Sequence, residues 1–177
     1  HFESALKLFE ETRFAQGQAR QLGNFGFLEY SLGNLELARH YFEQAVEKHR
    51  QAGYRLGEAG DLSSLALVYD DMGDWERAFQ LTRTALRIDE SIGYLEGQAT
   101  DLGNLGGLYF QGRKLEKAWL YHVKALDLHR MLGNVRGEAK DLGNLALVAF
   151  RRGNVVEAVK NIEAALSLQR QLASPEG

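Results

Sequence analysis

Leu62, Leu65, Ala66 and Tyr69 fall at the three- and four-residue spacing of one helix face. Gly73-Asp74 interrupts the pattern, and Ala78, Leu81, Ala85, Leu86 and Ile88 then form a second apolar face. Gly93 ends it as glycine ends a helix, by supplying a left-handed backbone. No stretch keeps an alternation of two, so strands are not predicted. The same figure returns every forty residues without a gap. Ala19, Ala59, Ala99 and Ala139 align, as do Leu22, Leu62, Leu102 and Leu142. Ala38, Ala78, Ala118 and Ala158 follow, then Ala45, Ala85, Ala125 and Ala165. Each row therefore predicts two helices, with first helices near 17–32, 57–72, 97–111 and 137–152. Second helices are predicted near 35–52, 75–92, 115–132 and 155–172. Ala5 and Leu6 match Ala45 and Val46, so residues 1–13 read as the second helix of an earlier repeat. The expectation is one array over 1–172, made of that orphan helix and repeats 17–53, 57–93, 97–133 and 137–172, with 173–177 as a tail.

Composition sharpens this picture. Nineteen glycines accompany one proline, Pro175. A glycine inside a helix costs about 1 kcal/mol, so the count needs explaining. The register places Gly17, Gly33, Gly53, Gly57, Gly73, Gly93, Gly97, Gly112, Gly133, Gly137 and Gly153 at helix ends and turns. Gly23, Gly26, Gly60, Gly103, Gly106, Gly107 and Gly143 fall inside first helices, where close packing or ligand approach is the expected reason. A net charge of −3 argues against a broad nucleic-acid or anionic-membrane surface. Without cysteine there is no disulfide frame and no thiolate site. No apolar run is long enough for a membrane span, and no signal-peptide layout opens the chain. A cytoplasmic location is expected. The first residue is His1 rather than Met, which suggests a piece of a longer or processed protein.

The columns resemble the tetratricopeptide repeat family. Its pattern of bulky residue, Leu, small residue and aromatic on the first helix, then Ala, aromatic and Ala on the second, falls on Leu62, Leu65, Ala66, Tyr69, Ala78, Thr82 and Ala85, with Thr82 at the second helix's aromatic position. The next row offers Leu102, Leu105, Gly106, Tyr109, Ala118, His122 and Ala125. The forty-residue period and the absence of the closing proline resemble a longer-helix subgroup of that family. So do Leu22-Gly23-Asn24, Leu102-Gly103-Asn104 and Leu142-Gly143-Asn144, with Leu62-Ser63-Ser64 departing in the second row. The resemblance implies an all-α, right-handed solenoid of helix-turn-helix repeats, about nine helices, with first helices lining a concave wall.

Carried over from the family, that wall would hold Arg20, Asn24, Phe27, Tyr30, Asp70, Asp71, Asn104, Phe110, Lys140, Asn144, Phe150 and Arg151. Asn24, Asn104 and Asn144 share one phase of the repeat. Each offers a donor and an acceptor and could hold the backbone amide of an extended peptide; a hydrogen bond between repeats is the alternative. Phe27, Tyr30, Phe110 and Phe150 could form apolar pockets, and Arg20, Lys140 and Arg151 bring positive charge to the ends. Asn104 with Lys140 partly resembles the family's carboxylate clamp, but Ser63, Leu67 and Asn144 occupy its other positions.

Catalytic chemistry finds no support. His122 and His129 could share a helix face, yet no third metal ligand joins them, so no metal or other cofactor is expected. Gly103-Asn104-Leu105-Gly106-Gly107 follows no strand and fails as a phosphate loop. Ser63 and Ser64 have no His and acid in register. The column Asp61, Asp101 and Asp141 reads as carboxylates favoured by helix dipoles. The expected function is a non-enzymatic module holding a peptide or helix of a partner protein, with neither nucleic acid nor membrane as partner. The other reading is a spacer, sensor or self-association arm of a larger signalling protein. The first helix and the Val159, Ile162 and Leu166 face of the last would then mediate end-to-end association.

Overall fold

The computed structural model describes the backbone of residues 2–173 and the side chains of residues 12–173. Among the described residues eight helices follow one another: α1 (Phe2–Ser31), α2 (Leu35–Gln51), α3 (Arg55–Asp71), α4 (Trp75–Ile92), α5 (Leu95–Gln111), α6 (Leu115–Met131), α7 (Val135–Arg151) and α8 (Val155–Ala173). No strand occurs among the described residues. Residues 174–177 of the expected tail, and the side chains of Ala5 and Leu6, lie outside the described set.

Six joints turn on a glycine in the left-handed region: Gly33, Gly53, Gly73, Gly93, Gly133 and Gly153, with φ between 65° and 81°. The reversed φ lets the chain fold back over the helix end. At the α2–α3 joint the Tyr54 N–H then donates to the His49 carbonyl at 2.9 Å. The remaining position of this kind holds Arg113, at φ 56°. Gly17, Gly57, Gly97, Gly112 and Gly137 do not use the left-handed region.

The eight helices among the described residues are close to the expected nine, and the difference lies at the N-terminus. A break is predicted between residues 13 and 17, but α1 runs straight through. The joint glycine of the later rows, Gly53, Gly93 and Gly133, is replaced by Arg13, and Gly17 keeps ordinary helical φ. No glycine favours the reversal here and the helix continues, whereas at the α5–α6 joint Arg113 takes the left-handed region without one.

The helices form two compact units, residues 1–93 and 94–177. In the first, α2 packs on α1 and α3, α3 packs on α4, and α1 touches α3. Ala38, Ala45, Ala78 and Ala85 are fully buried, so helix axes approach closely there. Around them Val46, Ala59, Leu62, Ala85 and Ile88 form a core with Leu81 against it. The second unit repeats the plan with α5 to α8. Its core joins Leu126, Leu142, Leu145 and Ala165, with Trp119, Val123 and Leu168 packed on it. A fully buried Leu contributes about 1.5–3 kcal/mol, so these columns carry much of the stability.

Candidate functional site

Within each unit the first helices bury one side and show the other. On α7 Leu145, Val148 and Ala149 are buried, while Leu147 and Phe150 are exposed, Phe150 by 63%. On α3 Val68 is buried and its neighbour Leu67 exposed. On α1 Phe27 is exposed, and its ring meets Phe42 edge-on at 5.1 Å.

The predicted wall residues fall on these helices. Asn24 is exposed, and Asn104 and Asn144 are half-buried. No hydrogen bond to a described residue holds any of the three side chains. The Nδ2 of Asn104 is shielded from solvent without an acceptor. Lys140 is exposed on α7. Arg20 is exposed on α1, where it lines a hollow of about 650 Å³ with Phe14, Leu22, Phe25 and Lys48. Tyr30 is engaged: its hydroxyl donates to Asp71 Oδ2 at 2.6 Å, tying α1 to α3. That bond, then burial, pushes the Tyr30 phenol up to about 12. In the second unit Phe110 and Arg151 are brought together. The Arg151 guanidinium lies 5.8 Å from the Phe110 ring centre, and both line a hollow of about 460 Å³ with Gln111, Arg113 and Leu115. Phe150 is not among the residues lining it.

The column Asp61 and Asp141 departs from its sequence reading. Both carboxylates are buried, beyond the first helical turn where a dipole effect has faded. His49 Nδ1–H donates to Asp61 Oδ2 at 2.7 Å, linking α2 to α3. His129 Nδ1–H donates to Asp141 Oδ2 at 2.8 Å and His122 Nδ1–H to its Oδ1 at 3.2 Å, linking α6 to α7. Burial pushes the Asp61 carboxyl up to about 6, and the His49 hydrogen bond restrains the rise. An outer ion pair repeats beside each cluster: Arg50 Nε to Glu58 at 2.9 Å and Arg130 Nε to Glu138 at 2.8 Å. The recurring twelve-residue His–Asp spacing was the signal for these pairs. The histidines considered as metal ligands thus brace a helix joint. No group of three ligating side chains able to hold a metal occurs among the described residues.

The interior glycines divide into two sets. A Cβ on Gly26 would stand 2.9 Å from the Phe42 ring, and one on Gly106 would stand 2.7 Å from the His122 ring. A Cβ on Gly23 would stand 3.0 Å from Asp61 Oδ1, and one on Gly103 would stand 3.4 Å from Asp141 Oδ1. These four make room for the second helix or for the next repeat's aspartate. Gly60, Gly107 and Gly143 face open space.

Among the described residues no helix is long and apolar enough to cross a membrane. Residues 18–91 match the tetratricopeptide repeat family model. No curated protein gives a significant sequence match. Several solved structures share the fold. BtubC (BKLC) from P. vanneervenii is 18% identical, with a TM-score of 0.78 over 90% of this chain and 66% of that one. Aspartyl phosphate phosphatase F from Bacillus subtilis is 14% identical, with a TM-score of 0.83 over 90% of this chain and 42% of that one. The Rap conjugation gene regulator of plasmid pLS20, in complex with the Phr* peptide, is 20% identical. Its TM-score is 0.81 over 90% of this chain and 44% of the regulator. The chain spans between 42% and 66% of the length of these structures. Helix pairing and small-residue columns fit the family match: residues 18–91 resemble tetratricopeptide repeats, within a chain that has the same helical-repeat fold as these structures.

Proposed function

We propose that the chain is a non-catalytic interaction module that holds a peptide or helix of a partner protein along the exposed side of its first helices. One observation carries this reading: Asn24, Asn104 and Asn144 make no hydrogen bond within the described structure. The alternative role, tying repeats together, is filled instead by the His–Asp and Arg–Glu pairs. A shielded donor without an acceptor costs about 1–3 kcal/mol. A turn of the Asn104 amide would present its Nδ2 to a peptide carbonyl laid along α5. Exposed Leu67, Leu147 and Phe150 supply apolar contacts on the same class of helix. A structure of the same fold is described in complex with a peptide, which fits the reading. The similar structure named a phosphatase is 14% identical, which carries the fold and not the activity.

The test is selection of peptides from a displayed random library on the 177-residue chain. Asn104→Ala, Asn144→Ala and Lys140→Ala together should abolish capture of the selected peptides while helicity and melting stay nearly unchanged. Capture that survives the triple change refutes the groove.

A second reading, association between copies, rests on a separate contrast. Phe25 on α1 is 50% exposed where its counterpart Leu65 on α3 is 5% exposed. Leu166 on α8 is 44% exposed where its counterpart Leu126 on α6 is 5% exposed. The two faces correspond to the partners of an internal joint. Docking α8 of one copy on α1 of another would cover both. Sedimentation velocity at rising concentration should show growing species that Leu166→Glu removes; a constant monomer refutes this.

A further inference from the structure

The hollow of the second unit has features that peptide capture in general does not require. It is lined by Phe110 and Gln111 from the end of α5, Arg113 from the joint, Leu115 from the start of α6 and Arg151 from the end of α7. Among the described residues neither Arg113 nor Arg151 has a carboxylate partner, and the recorded contact of Arg151 is the face of Phe110. Other cations nearby are occupied. Arg152 lies over Trp119 and 4.0 Å from Glu116, and Lys117 lies over Tyr109. Arg113 also holds the left-handed φ of 56° that the other three joints of its kind give to Gly33, Gly73 and Gly153. A side chain kept where glycine is the unstrained choice calls for a use.

We propose that this hollow receives an acidic group, a carboxylate or a phosphate, carried by a peptide beside an apolar residue. This deepens the interaction reading and rests on it. Arg113 and Arg151 would hold the anion from two sides through their planar guanidinium forks, which match two oxygens at once. Phe110 and Leu115 would take the neighbouring apolar side chain. The site draws on the joint after α5, apart from the Asn104 and Lys140 positions, so it is a separate anchor along the same partner. A chain of net charge −3 thus offers a local cationic pocket.

The test uses the full chain with arginine side-chain 15Nε signals followed by NMR. Three short probes are titrated: acetyl-Phe-Glu-amide, acetyl-Phe-phosphoserine-amide and, as control, acetyl-Phe-Gln-amide. Arg113 and Arg151 signals should move saturably with at least one acidic probe and not with the glutamine probe. Whichever acidic probe binds names the source of the anion. Arg113→Gly, which keeps the turn, and Arg151→Gln should each weaken that binding about tenfold, the loss of one charge-assisted contact. Equal shifts with the glutamine probe, no shift with either acidic probe, or unchanged binding by Arg113→Gly overturns the proposal. Library peptides that bind Arg113→Gly and wild type alike would leave the groove standing and remove the pocket. Acidic probes that bind here when the library yields nothing would do the reverse.

Discussion

The α2–α3 joint of the first unit and the α6–α7 joint of the second are built from the same columns but differ in one respect. Asp61 receives a single histidine, His49. Asp141 receives two, His129 and His122. The difference comes from one position of the second helix, where the first unit has Phe42 over Gly26 and the second has His122 over Gly106. A repeat can therefore keep its backbone while exchanging an apolar plug for a polar one, provided the next repeat supplies the acceptor. The polar version depends more heavily on its aspartate, because two buried donors would be orphaned without it.

The sharpest way to break this comparison is to remove the carboxylates. Asp141→Ala should lower stability by about 2–6 kcal/mol and Asp61→Ala by about 1–3 kcal/mol, since each buried unpaired donor costs about 1–3 kcal/mol. Urea unfolding measures both, and an equal or larger loss at Asp61 contradicts the two-histidine account. Next in size are the glycines. Gly26→Ala and Gly106→Ala should each cost about 1–3 kcal/mol by crowding Phe42 or His122. Gly143→Ala, which faces open space, should instead stabilise by up to about 1 kcal/mol.

A smaller effect is set by pH. Burial holds the folded Asp61 carboxyl at about 6, above its ordinary 3.8, so between these values the folded chain binds the proton more tightly than the unfolded one. Its contribution to stability is full below pH 3.8 and is lost as pH rises through about 6. Asp89, pushed to about 6 by burial alone, acts with the same sign. Melting temperatures measured across this range should show a falling component that Asp61→Asn reduces and does not abolish. A change of similar size to that at Gly143 is expected at Arg113. Arg113→Gly relieves the left-handed backbone and should raise stability by about 1 kcal/mol, read by the same urea unfolding.

Much of the architecture was legible because packing repeats. The alanine columns 38, 78, 118 and 158 marked the helix crossings, and both joint glycine series marked turns, within two residues of the observed ends. The continuous α1 was not anticipated, since apolar spacing at Ala5 and Leu6 is the same for a hairpin and for a continuous helix; Arg13 in the glycine position was a hint, though Arg113 turns at the α5–α6 joint without a glycine. The joint clusters were misread for another reason. A carboxylate early in a helix suggests the dipole; the recurring twelve-residue spacing to His49 and His129 was visible in the sequence, but three-dimensional placement turns it into a contact from the preceding helix. Among the proposed wall residues, Tyr30 binds Asp71 and Phe110 stacks with Arg151, contacts that helix phase alone does not define.

The central claim is that the exposed side of the first helices is the binding surface. Hydrogen exchange of the chain with and without a library-selected peptide tests it most directly. Protection concentrated in α1, α3, α5 and α7 is the predicted result. Protection confined to α2, α4, α6 and α8 would contradict it.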